Sequence, residues 1–224
     1  MLSIVIPTLN PGPRFGAVLS ALVGGAVEGL VKEVVVADAG STDRTLELAH
    51  EAGCKVVETP PSRGGQLIAG AAAAKGDWLL FLHADTVLSP GWTKAVTDHV
   101  ARFPDKAGYF RLRFDDASST ARLWEKGVAL RCRVLGLPYG DQGLLISRVQ
   151  YDEQGGFPDW PLMEDVEFVH RIGRSGLRLL DGEAVTDAEK YRRDGWVARS
   201  ARNLVFLTAW GMGTDPKALA KRYD

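Results

Sequence analysis

The chain has 224 residues, with 27 Lys plus Arg against 28 Asp plus Glu and a net charge of -1. This is long enough for a well-buried core, and the even charge balance offers no polyanion-binding surface, so nucleic acid is not an expected partner. Cys54 and Cys132 are the only cysteines. Far apart and in no metal-ligand spacing, they read as inert thiols in a reduced cytosol rather than a disulfide framework.

The first ten residues, MLSIVIPTLN, carry no basic segment and meet Pro7 after a few apolar residues, so no secretion signal is expected. No uninterrupted apolar run approaches the roughly 20 residues of a membrane helix, and a cytoplasmic location follows as the expectation. Leu2 to Ile6 is a β-branched run stopped by Pro7, which predicts a buried strand entering a loop. Phe15 to Leu30 carries Val18, Leu19, Leu22, Val23 and Val27 at helical spacing. "VKEVVVA", Val31 to Ala37, predicts the second strand, and the loop Asp38 to Asp43 leads into a helix over Arg44 to Ala52, capped by Ser41 or Thr42. "KVVETP" predicts the third strand, Gln66 to Lys75 an Ala-rich helix after a Gly-rich turn, and "WLLFLHAD" the fourth strand. Such an alternation predicts a parallel sheet with helices on its faces. In that architecture the ligand crevice lies at the carboxyl ends of the strands. Asn10, Asp38, Arg63 and Asp85 all fall on that edge.

The second half is more mixed. Pro90 to Phe103 predicts a helix, and "AGYFRLRF" alternates like an antiparallel strand with Tyr109, Arg111 and Arg113 on one face. A helix over Ser118 to Leu135 leads to "PYGDQGLLISR", a turn and a short strand. A Gly/Pro-rich loop then enters a helix from near Met163 to Gly176, followed by one or two strands in "LRLLDGEAVTD". Trp196 to Ala209 predicts an amphipathic helix offering Trp196, Leu204, Leu207 and Trp210 as apolar contacts, with Arg199, Arg202 and Lys217 near its polar side. That helix is a candidate surface for a membrane or a second subunit. Without repeats or a low-complexity linker, the chain reads as one domain, divided into residues 1–90, 91–190 and a helical tail at 191–224.

Four blocks, "SIVIPTLN", "VVVADAGSTDRT", "AAAAKGDWLLFLHADT" and "PLMEDVEFVHR", occur in the order and spacing of the family 2 glycosyltransferases, which this sequence resembles from about residue 2 to 172. The "HADT" and "PYGDQG" forms look most like a bacterial subgroup of small, stand-alone members. The resemblance implies a GT-A fold, a mixed and mostly parallel α/β sheet covered on both faces. It also implies inverting transfer of a sugar from a nucleotide-diphospho-sugar to a hydroxyl acceptor, with Mg²⁺ or Mn²⁺. The nucleoside pocket would be walled by Pro7, Thr8 and Asn10, although this chain has Pro11 where members often carry Glu. Asp38 would accept a ring N–H of the base, which favours a UDP-type donor and leaves dTDP- and GDP-sugars as alternatives; a capping loop residue is the plainer reading. Arg63 would meet the base or the diphosphate, or else point to solvent.

Asp85 is the expected metal carboxylate, since one Asp plus substrate phosphates suffices for a hard divalent cation. His83 is a second-shell residue or a direct ligand, oxygen being the preferred donor for such ions. Asp165 is the candidate base that deprotonates the acceptor hydroxyl, placed in a helix's first turn where the ionised form is favoured. As an isolated motif, "MED" would be no more than an acidic helix start. Glu164, Asp141, Gln142 and Trp160 fall at the acceptor side. Arg192 and Arg193 are candidates for the diphosphate, although the Ser-Ala-Arg-Arg run of the subgroup reads Asp187-Ala-Glu-Lys190 here. Two other classes stay open: a nucleotidyltransferase, disfavoured because "PTLNPGPR" offers only Arg14 to phosphate, and a nucleotide-sugar-binding protein without activity.

Overall fold

The structure is a computed structural model that describes residues 1–222. In chain order its first half comprises β1 (Leu2–Thr8), α1 (Arg14–Val27), β2 (Val31–Asp38), α2 (Thr45–Glu51), β3 (Lys55–Glu58), α3 (Arg63–Ala73), β4 (Trp78–Phe81), β5 (Val87–Leu88) and α4 (Trp92–Arg102). The second half adds β6 (Ala107–Phe114), α5 (Ser119–Leu135), β7 (Leu144–Ser147), α6 (Arg148–Glu153), α7 (Glu164–Ile172), β8 (Leu177–Thr186), α8 (Glu189–Asp194), α9 (Trp196–Gly211) and α10 (Pro216–Ala220). The strands form one mixed sheet in the order β3-β2-β1-β4-β7-β6-β8-β5. The block β3-β2-β1-β4 is parallel throughout, as expected. β7 then runs antiparallel to both β4 and β6, whereas β6 pairs parallel with β8.

Alternation along each strand feeds two apolar layers. Ile4, Ile6 and Leu80 face a layer made with Phe15, Val18 and Leu22 of α1 and Trp92 and Val96 of α4. Val5, Leu79 and Phe81 face the other layer, with Leu67 and Ala71 of α3, Tyr151 of α6 and Phe168 and Val169 of α7. The Ala/Gly composition of α3 lets it lie close on the sheet: a Cβ on Gly70 would collide with the Val5 side chain.

Several boundaries differ from those expected. β1 continues through Pro7 to Thr8. Val5 O accepts from Leu82 N, so Pro7, two residues on, turns its missing N–H to the same side, where β4 has already ended. The fourth strand stops at Phe81, and His83 to Thr86 form a turn closed by Thr86 N donating to His83 O (3.2 Å). Neither Ser41 nor Thr42 caps α2. Arg44 stands at the N-cap without a side-chain bond, and Asp43 just before it accepts from Thr45 N (3.0 Å) and from the Thr45 hydroxyl. α6, α8 and α10 carry too few residues for a periodic signal and were not expected. The tail packs back on the domain, with Phe206 and Leu219 buried against Met163 and Val166. Arg199 is buried and paired with Asp194 (3.1 Å), so it is no part of a polar outer face, and Leu204 is exposed rather than packed.

Candidate active site

At the carboxyl ends of β1 and β2, the in-register pair Thr8 and Asp38 is buried. Asp38 Oδ1 accepts from Thr8 Oγ1 (2.8 Å) and Ser41 Oγ (2.6 Å), while Oδ2 accepts from the backbone N–H of Gly40 (2.9 Å) and Ser41 (2.8 Å). Burial opposes ionisation of this carboxyl, but these donors outweigh it and hold it below the ordinary carboxylate range. The side chain expected to read a base is therefore 1% exposed and committed to shaping its own loop. Asn10, in a left-handed conformation (φ 47°), latches this loop to the first one: its Oδ1 accepts from Thr42 N (2.7 Å), and its backbone N–H donates to Ser41 Oγ (2.9 Å). Gln66, not anticipated, is buried in α3 and donates through Nε2 to Thr8 O and Ala37 O, both at 2.8 Å. It adds a side-chain donor to these strand-end carbonyls, of which Thr8 O also accepts from Ala39 N (2.9 Å).

Beyond β4, the turn presents Asp85 with its carboxylate in one long contact, Thr86 Oγ1 at 3.4 Å. Arg14 fixes the turn. Its Nε donates to Asp85 O (2.7 Å), Nη1 to Asp115 Oδ2 (2.5 Å) and Nη2 to Val185 O (3.1 Å). Arg192 shares Asp115 (3.3 Å) and also pairs with Asp187 (3.3 Å), which brings it to the same edge. Arg193 is not brought there; it is largely exposed and bonds Asp194 (2.7 Å). The departure at Asp187 thus has a local role as a partner for Arg192.

The antiparallel pair Phe81 and Leu144 sets the Gly140–Gln142 turn beside His83. A Cβ on Gly140 would collide with His83 Nε2. Gly140 N donates to Asp165 Oδ2 (2.6 Å), and Asp165 Oδ1 accepts from Val166 N (2.8 Å), so the carboxylate is held at the start of α7. His83, Tyr139, Gly140, Glu164 and Asp165 line one cavity whose remaining wall is apolar, including Leu67, Phe81, Phe157 and Val169. His83 is held neutral, well below its ordinary range, by burial first and then by the nearby Arg63 charge, against an opposing pull from Asp165.

Glu164 is 1% exposed and pushed up to about 8 by burial, with the Asp165 charge adding to the shift and Arg63 opposing it. The Arg63 Nε to Glu164 Oε1 separation, 3.7 Å, is too long for a hydrogen bond, so Arg63 opposes the rise through its charge alone. Asp141 is also pushed up, to about 6, by burial, with Arg131 opposing, and its Oδ1 is buried without a hydrogen-bond partner. Gln142, expected at the acceptor, instead belongs to the core. It is 2% exposed, donating to Phe110 O (3.0 Å) and accepting from Cys132 Sγ (3.2 Å) and Arg131 (3.3 Å). Trp160 is half-buried and not among the residues that line the cavity; its carbonyl accepts from Gly64 N (2.9 Å) next to Arg63.

The donor set suits a hard divalent cation bound chiefly by substrate. Among the described residues no three His, Cys, Asp or Glu side chains gather at metal-ligand separation, so no all-protein cage exists. Asp85, with its nearly unengaged carboxylate, fits one oxygen ligand beside phosphates and water. His83 lines the cavity with Asp165.

The family model described as "Glycosyl transferase family 2" matches residues 3–143. Glucosyl-3-phosphoglycerate synthase of Mycolicibacterium paratuberculosis is 36% identical over 95 residues, covering 38% of this chain and 29% of that protein. The synthase of Mycolicibacterium smegmatis is 37% identical over 94 residues, 38% of this chain and 31% of the relative. The chain therefore aligns with less than a third of the length of these curated relatives. Among solved structures, the Mycobacterium tuberculosis synthase in complex with Mn²⁺, UDP and phosphoglyceric acid superposes with a TM-score of 0.59 at 23% identity, covering 80% of this chain and 67% of the other. That likeness establishes the GT-A fold. With a matched family model over more than half its length, the chain belongs to glycosyl transferase family 2.

Proposed function

We propose that the protein is an inverting glycosyltransferase that moves a sugar from a UDP-type nucleotide-diphospho-sugar to a hydroxyl acceptor. The carrying observation is Asp165, held by Gly140 N in a cavity that it shares with Glu164 and with His83, which belongs to the same turn as Asp85. Support for the donor class comes from the related synthase, crystallised with Mn²⁺, UDP-glucose and phosphoglyceric acid.

In this reading the nucleoside lies along the loops after β1 and β2, from Pro7 to Asn10 and Asp38 to Ser41, with Asp38 acting through the loop that it ties. Asp85 holds one Mg²⁺ or Mn²⁺ ion, which neutralises charge on the diphosphate leaving group when bound. Arg63 and Arg192 add positive charge at the two sides of the crevice. Asp165 takes the proton from the acceptor hydroxyl as its oxygen bonds to the anomeric carbon and the carbon–diphosphate bond breaks on the opposite face. Asp141, with its unpaired buried oxygen, and the protonated Glu164 bind acceptor hydroxyls as acceptor and donor respectively, beside Trp160.

The test measures UDP release from UDP-glucose with Mn²⁺ present, alongside calorimetric donor affinity. Asp165→Asn is expected to lower turnover by about 10²–10⁴ while the donor dissociation constant stays within about threefold. Equal collapse of affinity and turnover would remove Asp165 from the role of base.

A further inference from the structure

Helix α5 turns an apolar stripe toward solvent on the side opposite its buried face. At about 100° per residue, Ala121, Glu125, Val128 and Cys132 share the inward side, and all are buried or half-buried. Leu123, Gly127, Leu130 and Val134, spaced four, three and four residues apart, share the outward side. Leu123 is 62% exposed, Leu130 61% and Val134 53%. A surface helix normally places polar residues there. On α9, Val197, Leu204 and Val205 are exposed as well. The two helices are joined by the Trp124–Trp196 ring pair (6.0 Å between centroids) and by the Trp124 indole donating to Ser200.

Charge identifies the occupant. Lys126 and Arg133 are exposed along one flank of the α5 stripe. The only acid in α5, Glu125, is buried and paired with Arg113 and Arg122, and α9 contains neither Asp nor Glu. A second copy pairing about a two-fold axis on this stripe would set Lys126 and Arg133 against the same residues, with no exposed acid on either helix to offset them. An anionic bilayer satisfies both features, taking the apolar stripe into the headgroup boundary and the flanking cations onto lipid phosphates. Since no helix among the described residues is long and apolar enough to cross a membrane, the contact would be interfacial.

We propose that the outward face of α5, extended by α9, docks this protein on the surface of an anionic lipid bilayer. The end of α5 leads through Gly136 and Leu137 into Pro138 and Tyr139, which line the cavity, so docking on this face anchors an element connected to the site.

Co-sedimentation with vesicles of phosphatidylcholine alone, or mixed with phosphatidylglycerol, tests this. The full chain is expected to pellet with the mixed vesicles and to be released by salt. Leu130→Glu with Val134→Glu, and separately Lys126→Glu with Arg133→Glu, should each weaken partitioning by at least about tenfold. Thermal melts followed by circular dichroism should stay unchanged, because all four side chains are exposed. Failure of the wild type to pellet with anionic vesicles overturns the proposal, as does partitioning that either double variant leaves intact. A dimer seen by light scattering that the Leu130/Val134 variant converts to monomer would give the face to a second copy and overturn it equally.

Discussion

Replacing Glu164 by Gln should stabilise the protein, and increasingly so as pH rises. An unfolded glutamate ionises near 4.5, whereas the buried Glu164 holds its proton up to about 8. Between those values the folded state binds more protons than the unfolded state, so stability falls with rising pH. Shifting one group from 4.5 to about 8 corresponds to roughly 5 kcal/mol once pH exceeds both. The same relation gives about 3 kcal/mol at pH 7 and under about 1 kcal/mol at pH 5. Glutamine is nearly isosteric and titrates nowhere in this range, so it removes the pH-dependent part and leaves a constant offset from packing. Urea denaturation of both proteins at pH 5, 7 and 9, without metal or nucleotide, measures the gap. It should widen by about 4 kcal/mol from pH 5 to pH 9 in favour of Glu164→Gln. A gap that stays constant across that range would refute a proton held on Glu164 and, with it, the hydrogen-bond donor assigned to the acceptor side.

Asp85→Ala should abolish the Mn²⁺-dependent part of UDP affinity in calorimetry and leave the metal-free part unchanged; an undiminished metal response would remove Asp85 as the ligand. Gln66→Ala should cost about 1–3 kcal/mol in urea unfolding, because two buried side-chain hydrogen bonds are lost while Thr8 O keeps the Ala39 N–H. A loss under about 0.5 kcal/mol would show that water replaces the amide readily.

The parallel half of the sheet was legible because each of its strands is an apolar run closed by a turn signal. Pro7 misled only over where β1 ends, since a proline is tolerated once the neighbouring strand has stopped. α6 and α8, six residues each, are too short to show a helical period. At the site, residue type identified the polar positions and left their partners hidden. Asp38 and Gln142 carry the chemistry expected of ligand-binding groups, yet loop and core hydrogen bonds consume them. Gln66 and Arg14 escaped notice for the opposite reason: their partners are backbone carbonyls and an aspartate up to 171 residues away. Arg14 had one visible signal, as the sole cation of the first loop, read at first only as too little charge for a phosphate loop.

The three-way grip of Arg14 has a mechanical consequence. One planar guanidinium clamps the turn bearing Asp85, the end of β8, and Asp115 just past β6, so elements from the first and second halves of the chain are riveted at a single point. A breathing motion that widened the crevice there would have to break three bonds together, and a lysine, with one compact charge, could not span all three. That side of the site is therefore stiff, and the loop of Trp160 is tied separately to the start of α3, through Gly64 N donating to Trp160 O and Ser62 Oγ donating to Asp159 Oδ1.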